Sequence, residues 1–180
     1  MRKRVLSFPL FYLSQNNFIM SKKKISPISK LIIAILICEA VGILSALLSN
    51  TTNNTWFNTL AKPSWNPPAS LFVPVWTILY LLMGIALWLI WKSDAPYLKK
   101  TNAICIFFFQ LFFNFCWSIL LFRFHSPLLA LINIVIMVIT ITATMFTFAT
   151  INRKASWLLL PYIIWVSFAT LLNFTIWVMN

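Results

Sequence analysis

The stretch from Trp56 to Lys92, WFNTLAKPSWNPPASLFVPVWTILYLLMGIALWLIWK, decides how the rest of the chain is read. Pro63, Pro67, Pro68 and Pro74 punctuate its first half, and each fixes φ and stiffens the backbone. Trp56, Phe57, Trp65 and Phe72 make the same segment apolar enough to lie on a greasy surface. From about Phe72 the pattern is an unbroken apolar helix, with Pro74 in the first turn, where a missing N–H costs nothing. A rigid aromatic cap feeding a membrane helix is the expected structure.

Composition agrees. Of 180 residues, 61% are hydrophobic and 9% are charged, with two acids in all, which excludes a soluble domain. Five windows, near 30–49, 72–92, 101–122, 127–149 and 155–177, approach or exceed the roughly 20 apolar residues that cross a bilayer core. Strand-like alternation is absent, as Ile32 to Ile37 and Phe107 to Phe113 show. Lipid leaves backbone polar groups no other partner, so the spans must be helices. The expected fold is an all-α membrane protein, a five-transmembrane-helix bundle over residues 30–180.

The net charge of +12 follows membrane topology and not nucleic-acid binding. Seven basic residues (Arg2, Lys3, Arg4, Lys22, Lys23, Lys24 and Lys30) precede or open the first span. Lys92, Lys99, Lys100, Arg153 and Lys154 fall at the second and fourth connections, leaving only Lys62 and Arg123 on the other side. By the positive-inside rule, twelve against two puts the N-terminus in the cytoplasm. Residues 1–29 imitate a signal peptide, but Pro9, Gln15-Asn16-Asn17 and the lack of a small-residue cleavage site argue against processing. They are expected to form a basic, disordered extension, with Met20 an equally good start.

Inside the spans the polar residues are few. Ala34, Cys38, Gly42 and Ala46 recur every four residues, a ribbon that lets another helix approach closely. Glu39 lies beside it at membrane depth, either a functional carboxylate or one hydrogen-bonded to a neighbouring helix. Cys38, Cys105 and Cys116 have no metal-ligand spacing and read as small apolar fillers. His125, in a tight turn before Pro127, is assigned no role. Gln110, Asn114 and Trp117 share one helical face at i, i+4 and i+7, as Trp165, Ala169 and Asn173 do at i, i+4 and i+8. Trp76, Trp88, Trp91, Trp157 and Trp177 lie near span ends, where an aromatic belt accounts for them. Trp165 is near mid-span, in a helix contact or a cavity wall.

The residues Trp56, Lys62-Pro63-Ser64-Trp65, Pro67-Pro68, Pro74-Val75-Trp76-Thr77, Leu79-Tyr80, Met83-Gly84 and Trp91 resemble the signature of the TspO/MBR family, the tryptophan-rich sensory proteins. The resemblance continues through QLFFNFCW in the third span and PYIIWVSFATLLNFTIWVMN in the fifth. It departs at Asn133, where members usually carry Asp, and at Leu129, where many carry Trp. Phe174 and Val178 stand where animal members have the Tyr and the basic residue of a sterol motif, so that motif is broken. The resemblance implies a homodimer that binds tetrapyrroles (porphyrin or haem) and synthetic aromatic ligands. Together with the spacings, it points to Trp56, Trp65, Trp76, Tyr80, Gln110, Asn114, Trp117, Trp165, Ala169 and Asn173 as ligand-binding.

Chemistry is constrained by what is missing. Glu39 and Asp94 cannot form a carboxylate pair, and two glycines cannot build a phosphate loop. Hydrolysis, phosphoryl transfer and zinc catalysis are excluded, and no catalytic residue or required cofactor is expected. An aromatic cavity with a few amides suits a flat hydrophobic ligand, with lipid around it. The expected role is sensing or regulation at a bacterial inner membrane; a porphyrin transporter and a porphyrin-degrading enzyme are the rivals. The loop 50–71 is expected to be a lid that hinges at Asn50 to Asn54, with Trp65 pointing in, or else a static plug.

Overall fold

The computed structural model describes residues 26–51 and 54–180. The expectation of a disordered extension therefore falls largely outside the described residues, as do positions 52 and 53 of the expected hinge. The chain forms α1 (Pro27–Ser49), α2 (Thr55–Thr59), α3 (Phe72–Trp91), α4 (Tyr97–Ser118), α5 (Pro127–Ala149), α6 (Arg153–Trp157) and α7 (Leu160–Met179). A 3₁₀ turn, Ala69–Leu71, leads into α3, and a π-helical turn, Ile119–Arg123, extends α4. Counting those extensions, and α6 with α7, five helical segments are long and apolar enough to cross a membrane.

The boundaries have local causes. Ser26 Oγ accepts from Ser29 N at 3.0 Å to cap α1, and Pro27 occupies the first turn. Asn50, at φ 53°, closes α1 in the left-handed region. The third span starts at Tyr97, earlier than the expected 101, directly after Pro96, which takes the N-cap position with an extended ψ of 141°. The fifth span is broken: α6 is capped by Asn152, and a turn at Leu158 precedes the restart with Pro161 near its beginning.

The helices pack α3 on α1, α1 on α4, α4 on α5 and α5 on α7. The chain's two glycines both serve the α1–α3 contact. A Cβ on Gly84 would stand 2.6 Å from Ile35 Cα, and one on Gly42 would meet the Tyr80 ring at 2.2 Å. Small residues permit this approach where lipid provides no hydrophobic drive. The expected ribbon on α1 is only partly used: Ala34 and Cys38 are buried, while Ala46 is exposed.

The threonine hydroxyls of α5 are satisfied within the helix. Thr140, Thr142, Thr144 and Thr147 all donate to the carbonyl one turn back on α5. The charged end is tied together as well. Lys99 Nζ donates to Thr150 O at 2.9 Å, Lys100 Nζ to Ser93 O, and Trp88 Nε1 to Pro27 O at 2.9 Å. These lysines satisfy carbonyls that the helix ends leave open.

Candidate functional site

Two neighbouring structures contain most of the expected ligand-binding residues. The first is a buried polar chain at the centre of the bundle. Tyr80 OH on α3 donates to Asn114 Oδ1 on α4. Asn114 Nδ2 donates to Tyr162 OH at 3.0 Å, and Tyr162 OH donates to Gln110 Oε1 at 2.9 Å. Trp117 Nε1 donates to Asn173 Oδ1 at 3.2 Å, and Asn173 Nδ2 donates to Pro127 O at 2.8 Å. The Trp76 ring sits among them, with centroids 5.6 Å from Tyr80 and 6.3 Å from both Trp117 and Tyr162. So Trp76, Tyr80, Gln110, Asn114, Trp117 and Asn173 are brought together, and the amides are occupied by protein partners. An interior of this kind is rigid because each group has its bond.

The second is a groove of about 630 Å³ between α3 and α7, lined almost wholly by apolar atoms. Val75, Ile78 and Leu79 form one side, and Ile164, Trp165 and Phe168 the other. Trp165 and Phe168 line it 5.6 Å apart, and Phe72 packs on Trp165 at 5.8 Å. The Trp165 indole N–H is buried and has no hydrogen-bond partner. Leaving such a donor unmet costs about 1–3 kcal/mol, so a group left this way calls for an explanation. Ala169, one turn beyond Trp165, is buried.

The loop meets this groove at one end. Trp65 packs edge-on against Phe168, with centroids 5.8 Å apart, and stays 46% exposed. Its path is fixed by Asn180 at the end of α7, whose Oδ1 accepts from Ala61 N at 2.9 Å and whose Nδ2 donates to Ala61 O at 3.1 Å. Trp56 is not brought to the groove. It stacks on His125 instead, with centroids 4.3 Å apart and planes 21° from parallel.

Tyr162 is the residue that sequence reading missed. It precedes Trp165, Ala169 and Asn173 by three, seven and eleven residues, so its place on the same helical face was available from spacing. Asn133 Oδ1, on α5, is buried without a partner. Glu39 is half-buried on α1.

Five apolar spans, a glycine-tight helix pair and an aromatic-walled groove define a multi-pass helical membrane protein. Comparison with known proteins makes this specific: the chain belongs to the TspO/MBR family, whose model matches residues 34–178. It is 43% identical over 148 residues to a tryptophan-rich protein TspO of Chlorobaculum tepidum, covering 80% of this chain and 91% of the relative. A tryptophan-rich sensory protein of Cereibacter sphaeroides is 34% identical over 137 residues (76% and 82%), and a translocator protein of Bos taurus 30% over 137 residues (76% and 81%).

Proposed function

We propose that this chain is an integral-membrane sensory or regulatory protein that binds flat hydrophobic ligands of the tetrapyrrole class, porphyrin or haem. The ligand lies in the α3–α7 groove, stacked on Trp165 and Phe168, with Trp65 closing one end. The observation that carries this reading is the pair of aromatic rings, Trp165 and Phe168, 5.6 Å apart along an apolar groove. The groove volume of about 630 Å³ also falls within the roughly 300–1,000 Å³ usual for small-molecule sites.

Sensing is favoured over chemistry because the side chains around Trp76 are committed to one another and hold no acid–base pair. The same reading places the N-terminus in the cytoplasm, from the twelve-to-two charge distribution, in a bacterial inner membrane. It takes the functional unit as a homodimer. Purified protein incubated with protoporphyrin IX separates the possibilities when binding and product are followed together. Saturable binding with intact porphyrin supports a sensor. Catalytic consumption would establish an enzyme, and movement of porphyrin into sealed vesicles a transporter.

A further inference from the structure

A second cleft, of about 280 Å³, lies at the other side of the loop. The end of α1, the Asn54 to Trp56 turn and the Phe122 to His125 turn enclose it. Arg123 and His125 border it, with Asn50 and Asn54 opposite. From these residues we infer that the cleft is an oxyanion site, receiving a carboxylate or phosphate group at the membrane surface.

Charge is the first argument. The sequence has two acids, Glu39 and Asp94. Glu39 is ten residues back along α1 from Ser49, about 15 Å by helical rise. Asp94 is in the connection between α3 and α4, at the bundle's opposite end. Neither acidic side chain lies near Arg123, which is exposed at this end of the bundle and open to an external anion. Lys62, whose Nζ lies 4.8 Å over the Phe57 ring, adds a second uncompensated cation on this face.

Geometry is the second. Arg123 Nη1 donates to Leu48 O at 3.0 Å, which anchors the guanidinium and uses one of its five N–H donors. The other donors suit a planar or tetrahedral oxyanion. His125 is held at φ 52°, an uncommon region for a non-glycine residue, just past Phe124, which ends the π-helical turn. That conformation accompanies the stack of its ring on Trp56. Asn54 fixes the facing wall, its Nδ2 donating to Phe122 O at 2.7 Å and its Oδ1 accepting from Phe57 N at 2.8 Å. The cleft is thus built from both ends of the loop's first turn. An anion bound there would brace Trp56, and with it the loop. This inference does not depend on tetrapyrrole binding.

His125 is the chain's single histidine, so its ¹⁵N-imidazole signals report on this cleft alone. Labelled protein in a zwitterionic detergent is titrated with inorganic phosphate and, separately, with short-chain phosphatidylglycerol, with phosphatidylcholine as control. A saturable shift of the His125 signals is expected, because a bound anion changes the field at the ring nitrogens. A response to phosphate assigns a site for free oxyanions. A response to phosphatidylglycerol alone assigns a headgroup site. Arg123→Gln should weaken the response roughly tenfold and Arg123→Lys less, both with an unchanged melting temperature. Lack of a saturable shift with either anion, or equal responses in wild type and Arg123→Gln, would overturn the proposal.

Discussion

Gly42 lies directly beneath the ring of Tyr80, so close that a Cβ on the glycine would stand 2.2 Å from Cε2. The glycine on α1 thereby sets where the tyrosine on α3 presents its hydroxyl to Asn114. Gly42→Ala must push the ring aside, and overpacking of this kind costs about 1–3 kcal/mol. The melting temperature should fall in the single variant. Since the clash is with that ring, Tyr80→Ala in the same chain should make the added methyl nearly neutral. Additive losses in the double variant would show that the two residues are not coupled.

The loop is expected to behave as a lid stapled near its middle, at Ala61. Asn180→Ala removes both hydrogen bonds to Ala61 and should raise the porphyrin off-rate while the bundle stays folded. Replacing Pro67 and Pro68 together with Gly should act the same way, through lost preorganisation.

Hydrogen exchange gives the complementary measurement. Ligand should protect the backbone from Ala61 to Trp65, because Trp65 meets the groove through Phe168. Equal protection with and without ligand, along with an unchanged off-rate, would make the loop a static plug.

The proposed orientation, with the N-terminus in the cytoplasm, rests on the basic residues before the first span and at Lys92, Lys99, Lys100, Arg153 and Lys154. A reporter active only in the cytoplasm should work when fused after Lys99 and fail after Asn180. The reverse pattern would invert the topology.

How much of this was legible in the sequence depended on the kind of physics involved. The five spans are set by length and apolar content, and all five are present within a few residues of the expected positions. The faces carrying Gln110, Asn114 and Trp117 were legible because helical spacing alone puts residues on one side. Partner choice was not. Nothing in the spacing of α4 says that Asn114 bonds Tyr80 and Tyr162, since that depends on the α3 and α7 register. The split at Leu158 was hidden because Ser156 to Leu160 is apolar enough to pass as continuous helix. Trp56 and His125 are 69 residues apart, and their stack follows from loop closure that no local pattern encodes.

The central claim is that ligand occupies the α3–α7 groove against Trp165. It is tested most directly by titrating protoporphyrin IX into wild type, Trp165→Phe, Trp165→Ala and Ala169→Phe side by side. Trp165→Phe keeps an aromatic wall and removes the unmet N–H, so the unliganded protein should be at least as stable. Its affinity should fall modestly, whereas Trp165→Ala should lose about 1–3 kcal/mol of binding, as truncation at a desolvated contact does. Ala169→Phe, at a buried position one turn beyond Trp165, should weaken binding by displacing the helix face that carries Trp165. Wild-type affinity in all three folded variants would place the ligand elsewhere and contradict the account.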